Sequence, residues 1–194
     1  YQRSATQGAS WSKEQPLFAS NRGDRVVIPN LAVVASGETV LVAWRTRGPQ
    51  GATLWVRRSI NGGGAWQPRI RLATAAGQRS IGTPALSISG TTVVAAWTDR
   101  DTGRVLLRRS ADGGATFGSS RTMGRTHLSI DCQTPVIDGL VGLAATGTTV
   151  HLAWSDAKAG SCLSNRLVVR TSRDDARTFK DERIASEQRT YGWP

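Results

Sequence analysis

The octet "SADGGATF", residues 110–117, returns along the chain, and that return constrains the fold more than any other feature. "SINGGGAW" begins at Ser59, "SRDDARTF" at Ser172, and a degraded copy, "SATQGASW", at Ser4. An alanine–tryptophan marker keeps the same beat, at Trp44, Trp97 and Trp154 in "VLVAWRT", "VVAAWTD" and "VHLAWSD". A proline opens each unit, at Pro29, Pro84, Pro135 and Pro194. Three markers in one order, recurring every 50 to 60 residues or so, describe a repeat architecture in which each unit is one supersecondary element.

Within a unit the apolar residues alternate or form short runs bounded by glycine and polar residues, which reads as strand. Unit two is the clearest. "PALSISG" is a strand ending at Gly90, "TTVVAAWT" a buried strand rich in β-branched residues, and "RVLLRRS" a third. The octet follows, and then "GSSRTM" as the fourth. Four short antiparallel strands per unit is the make-up of a propeller blade. No segment sustains apolar residues at the i, i+3, i+4, i+7 spacing of a helix.

The octet falls between third and fourth strands, at a hairpin, and its residue types suit a turn. An Asp at the third position accepts hydrogen bonds from N–H groups of its own turn. A Gly at the fifth supplies φ > 0 where a side chain would clash. The aromatic at the eighth starts the next strand and packs between sheets. Ser59, Asn61, Trp66, Ser110, Asp112, Gly114, Phe117, Ser172, Asp174 and Phe179 are therefore structural, with Asp112 and Asp174 as turn locks rather than catalytic acids. Thr6 does the same turn chemistry weakly, and Ala176 in place of glycine predicts a strained or altered turn.

These octets resemble the Asp-box repeat, Ser-x-Asp-x-Gly-x-Thr-Trp, of sialidase-like β-propellers, and the resemblance runs through all four copies. It implies an all-β fold of about three blades from a probable six-bladed ring. The units are 1–24, the end of a preceding blade; 25–78, 79–128 and 129–188, three blades; and 189–194, the start of the next. The open edges imply that the polypeptide continues, that two copies associate, or that a protein partner covers them. Families with this repeat include sialidases, other glycosidases, sorting receptors and lectin-like modules.

In a blade, the loops joining strands two and three share one face with the blade-to-blade connections, opposite the octets. Ligands of such propellers usually occupy that mouth. Arg25, Arg79 and Arg189 each precede a blade-opening proline, in "RVVIP", "RSIGTP" and "RTYGWP", and could hold a carboxylate together. Joining them at the mouth are Arg45, Arg47, Asp99, Arg100, Asp101, His127, Asp131, Asp156, Tyr191 and Trp193. The resemblance implies an arginine triad whose first member sits in Phe/Tyr-Arg-Ile-Pro. "DRVVIPNL" has two residues inserted between Arg25 and Ile28. It also implies an Asp acid/base, which "RTRGPQGATLW" lacks, and a Tyr nucleophile activated by a Glu. Tyr191 and Asp99 are the candidate catalytic groups, with Glu182 and Glu187 near Tyr191 in sequence.

Cys132 lies in a blade-to-blade connection and Cys162 in a two-to-three loop of the same unit, so both belong to one face. They form a disulfide, implying an oxidising compartment, or remain two buried thiols. Twenty-five basic residues against 14 acidic ones make +11, and the only lysines are Lys13, Lys158 and Lys180. That charge is either an anion-attracting surface or arginine spread over strand ends; no block of like charges favours the first. The tryptophans keep repeat positions, so nucleic-acid binding is not expected. No apolar run of about 18 residues exists, so no transmembrane segment is expected.

His127 and His151 do not join carboxylates at a metal-ligand spacing, and neither metal nor cofactor is expected. Asp99 and Asp101 could ligate Ca²⁺, though a solvated loop is the plainer reading. Arg22–Asp24 reads as a surface loop before it reads as an adhesion tripeptide. The function expected is a non-catalytic, secreted or periplasmic binding or scaffold module for a glycan, an anionic ligand or a protein partner. The alternatives are an exo-sialidase or related glycosidase completed outside these residues, and an accessory subunit of a larger assembly.

Overall fold

The computed structural model describes residues 1–18, 25–49, 51–75, 81–126, 140–157 and 164–189. Its strands form three four-stranded antiparallel sheets in chain order, with no helix among the described residues. Blade one is β1 (Arg25–Ser36), β2 (Thr39–Gly48), β3 (Gly51–Ser59) and β4 (Ile70–Ala75). Blade two is β5 (Ala85–Ser89), β6 (Thr92–Asp99), β7 (Arg104–Ser110) and β8 (Arg121–Arg125). Blade three is β9 (Val141–Thr146), β10 (Thr149–Ala157), β11 (Ser164–Ser172) and β12 (Arg183–Arg189). The inner strands β1 and β9 lie against β5 on either side. Sheets meandering from an inner to an outer strand and stacked side by side are blades of a partial β-propeller.

Alternation along the strands decides which residues join the blades. Leu41 and Ala43 of β2 pack with Leu54 and Val56 of β3 against Val93, Ala95 and Trp97 of β6. The other face of β6, Val94 and Ala96, joins Val105 and Leu107 of β7 against Val150, Leu152, Trp154 and Val168 of blade three. The middle sheet is thus covered on both faces, which is why "TVVAAWT" is buried throughout and lacks polar alternation. Each fully buried aliphatic side chain of this kind contributes about 1.5–3 kcal/mol relative to exposure. At the outer ends of the stack the same positions stay open: Val33 of β1 is 56% exposed and Leu167 of β11 41%.

Every octet is closed by one hydrogen-bond scheme. In the octet of blade two, Ser110 Oγ accepts the Gly114 N–H at 2.8 Å and donates to Asp112 Oδ1 at 2.6 Å. Asp112 Oδ1 accepts the Thr116 N–H at 2.9 Å, and Thr116 Oγ1 donates to Asp112 Oδ2 at 2.6 Å. Ser172, Asp174 and Thr178 repeat this in blade three. Ser59 and Asn61 repeat its backbone part, and Ser4, Thr6 and Ser10 imitate it with hydroxyls alone. The fourth octet residue donates its N–H to the turn between strands one and two of the same blade: Gly62 to Glu38, Gly113 to Thr91, Asp175 to Thr148. Both hairpins at this end are thereby tied together.

One expectation needs refinement. The eighth residue does not begin the fourth strand, which starts at Ile70, Arg121 and Arg183, after residues that form no ladder. Phe117 and Phe179 do pack between sheets, and Trp66 stacks edge-on against Tyr1 with centroids 4.9 Å apart. The strain expected at Ala176 is present: Ala176 and Asp175 adopt φ +61° and +60°, where octet two has Gly114 and Gly113. A Cβ on Gly114 would stand 2.3 Å from Leu41 Cδ2. Val94 occupies the place of Leu41 one blade on, opposite Arg109 as Leu41 is opposite Arg58, and it shares a buried cluster with Ala176. The shorter side chain makes room for the methyl.

Ser110→Ala removes the shared acceptor of an octet and is expected to cost about 1–3 kcal/mol in chemical denaturation. The Ser110 and Thr116 hydroxyls hold the Asp112 carboxyl well below the usual carboxylate range, and the Thr178 hydroxyl with its amide does so for Asp174. Both groups are more acidic folded than unfolded, so their stabilisation is complete above the unfolded value of about 4 and shrinks as pH falls below it. Asp112→Asn should therefore flatten the stability loss between about pH 4 and pH 2 relative to the unaltered protein; an unchanged acid limb would refute the assignment.

Candidate functional site

The end opposite the octets collects the exits of β2, β6 and β10, the two-to-three turns and the entries of each blade. Ile81 at the entry of blade two bridges to Asp99 at the exit of β6, and the Gly82 N–H bonds the Thr98 carbonyl at 2.8 Å. In blade three the Ser155 N–H bonds the Leu140 carbonyl at 3.2 Å, and Ser155 Oγ accepts the Leu140 N–H at 3.3 Å. Blade entries are thus fastened to the strand-two exits, as the loop reading requires.

Two residues beyond each marker tryptophan, the same position does three different jobs. Thr46 Oγ1 accepts the Trp55 indole N–H at 3.0 Å. Asp99 Oδ1 accepts the N–H groups of Asp101 and Thr102 at 3.0 and 3.2 Å, closing the β6–β7 turn. Asp156, 2% exposed, forms an ion pair with Arg166, its register partner across β10 and β11. Arg166 was not singled out from the sequence; the signal was its place opposite Asp156 once the β10–β11 hairpin is folded antiparallel.

The arginines separate by role. Arg45, 8% exposed, donates from Nη1 to the Ile81 carbonyl and so bolts β2 to blade two. Burial first, and then the charge of Arg47, pulls the Arg45 guanidinium below its ordinary pKa, although it stays charged. Arg47 lies on the same side of β2, nearer the exit, and Arg100 sits in the β6–β7 turn. Arg25 begins β1 as the register partner of Arg47, and four residues, 27–30, bulge out before pairing resumes at Leu31. The insertion read in "DRVVIPNL" is thus absorbed as a bulge. Arg189 ends β12, the outermost strand of blade three, three strands from β9.

Arg79, His127, Asp131, Cys132, Cys162, Tyr191 and Trp193 lie outside the described residues, as does Arg22–Asp24. His151 is an exposed sheet-face residue whose Nδ1 is 3.0 Å from Thr171 Oγ1. Among the described residues no group of three His, Cys, Asp or Glu side chains is placed to hold a metal ion, and no helix is long and apolar enough to cross a membrane. What the described mouth offers is Arg47 and Arg100 on blades one and two beside three carboxylates: Asp99, which closes a turn, Asp156, which pairs with Arg166, and the exposed Asp101.

Arg166→Met is expected to remove one of the partners of buried Asp156 and to cost about 1–3 kcal/mol, read by urea denaturation. Asp99→Ala should cost about 1 kcal/mol through the loosened turn alone. A loss from Asp99→Ala larger than that from Arg166→Met would contradict these local roles.

No family model matches this chain, and no curated protein matches it in sequence. Solved structures do match. The α-L-arabinofuranosidase Arb93A of Fusarium graminearum is 17% identical, with a TM-score of 0.56 over 86% of this chain and 50% of its own. The α-L-arabinanase of Penicillium chrysogenum is 14% identical, with a TM-score of 0.56 over 97% of this chain and 57% of its own. The NanB sialidase of Streptococcus pneumoniae is 16% identical, with a TM-score of 0.58 over 92% of this chain and 27% of its own. The chain therefore spans about half the length of the arabinofuranosidase and of the arabinanase. At these identities the likeness speaks for architecture, and together with the three stacked sheets it makes the fold a partial sialidase-like β-propeller.

Proposed function

We propose that this protein is a non-catalytic, extracytoplasmic binding module of the sialidase-like propeller type, taking a glycan or another anionic ligand at the mouth opposite the octets. The observation that carries the reading is the state of the mouth's charged groups. Arg47 stands nearer the β2 exit than Arg45, whose guanidinium is spent on the Ile81 carbonyl, while Asp99 is committed to its turn and Asp156 pairs with Arg166. A guanidinium offers fixed donors to carboxylates and sugar hydroxyls, whereas a carboxylate locked in a turn or a buried pair is poorly placed to shuttle a proton. The glycan class is supported by the structural neighbours, named as an arabinofuranosidase, an arabinanase and a sialidase.

Those names also favour the second reading, a glycoside hydrolase whose catalytic groups include residues such as Tyr191 or lie beyond these 194 residues. The two readings part on turnover. A glycan array with acidic and arabinose-containing glycans, followed by titration calorimetry, is expected to show binding weakened about tenfold by Arg47→Ala, with no release of fluorophore from a 4-methylumbelliferyl sialoside or arabinofuranoside. Sustained release, lost on Arg79→Ala, would replace the binding module with the hydrolase. An empty array alongside stable co-purification with another protein would instead favour an accessory subunit.

A further inference from the structure

The two positions before each octet serine are held by Gln2 and Arg3, Arg57 and Arg58, Arg108 and Arg109, Arg170 and Thr171. Because successive strand residues face opposite sides, arginines at the two positions reach opposite blades. The first reaches back to main-chain carbonyls near the preceding fourth strand. Arg57 Nη1 donates to Leu17 at 3.0 Å and Arg170 Nη1 to Met123 at 2.6 Å, with Arg108 at a looser 3.5 Å from Arg71. The second reaches forward to the fourth residue of the next octet. Arg3 Nη1 donates to the Gly62 carbonyl at 3.0 Å, Arg58 Nη2 lies 3.2 Å from where a Cβ on Gly113 would stand, and Arg109 Nε donates to the Asp175 carbonyl.

The octet of blade three receives the most. Arg121 of β8 adds hydrogen bonds from Nη2 to the Ala176 carbonyl and from Nη1 to the Arg177 carbonyl at 2.5 Å, and its guanidinium lies 5.8 Å from the Phe179 ring centre. This is also the octet without glycine, and its Asp175 and Ala176 hold the left-handed region that residues with a Cβ rarely adopt. The carbonyls of both strained residues, and of the one after them, are gripped from blade two. Such a conformation persists only where its surroundings over-determine it.

We propose that Arg109 and Arg121 form a cross-blade clamp that holds the glycine-free octet of blade three in its left-handed conformation, so that this turn closes only as blades two and three dock. The octet of blade two, built on Gly113 and Gly114, closes from its own residues.

The test is a double-mutant cycle in denaturant with the full chain. Arg109→Met and Arg121→Met should each lower the folding equilibrium constant about tenfold or more. With Asp175→Gly already in place, which removes one strained position and keeps its carbonyl, either loss should fall to less than half. Amide exchange supplies the local reading: the Ala176 and Thr178 amides lose protection in the arginine variants while those of Gly114 and Thr116 keep it. Arg58→Met, facing a glycine octet, should show no coupling to Asp175→Gly. Additive losses, or octet-three amides as protected as in the unaltered protein, would overturn the clamp. If Arg109→Met does not fold, Arg109→Lys enters the same cycle, and additivity there overturns it equally.

Discussion

The structure depends on a hydroxyl that works in both directions. At the first position of each octet the serine oxygen accepts an N–H from four residues ahead, and in the three full blades it donates to the Asp or Asn two residues ahead. That acceptor in turn receives the N–H of the seventh residue. The closed corner satisfies backbone groups that a sharp reversal would otherwise leave unpaired. It also aims the fourth N–H at the neighbouring hairpin and seats the eighth aromatic side chain against the adjoining blade. With that corner set, the four strands share a register and one apolar face can meet the next.

A division of labour between the two ends follows. At the octet end the carboxylates, hydroxyls and most amides of each octet bond one another within eight residues, the fourth amide ties to the neighbouring hairpin, and nearby guanidiniums are spent on main-chain carbonyls of adjoining blades. Much of the arginine excess is therefore accounted for by contacts that hold sheets together, which agrees with charge spread over strand ends rather than gathered in one patch. The mouth end obeys a looser rule. Thr46, Asp99 and Asp156 hold one repeat position and make three different local contacts, so the scaffold there admits variation that the octets do not.

Much of the fold was legible in the chain because its determinants are short-range. Asp112 and Asp174 are read as turn locks from the octet alone, and their oxygens bond atoms four residues away. The buried character of "TTVVAAWT" likewise follows from its unbroken apolar run. The candidate site was less legible. That Asp156 meets Arg166 and Arg45 meets Ile81 depends on strand pairing and blade stacking, and neither composition nor spacing states which partner a long side chain will reach. The insertion after Arg25 was visible, but its resolution as a bulge between Val26 and Leu31 required the ladder itself.

The sequence by itself determined the repeat, the strand content and the chemistry of the corners, because each rests on residues close enough along the chain to bond without help from elsewhere. Tertiary structure alone decided how the blades are fastened and how a glycine-free corner survives. Ala176 is tolerated because Val94, rather than a leucine, stands opposite, and because two arginines from another sheet hold its carbonyl and its neighbours'. Those atoms are more than 50 residues apart in sequence, and only docking of the sheets brings them within hydrogen-bonding distance.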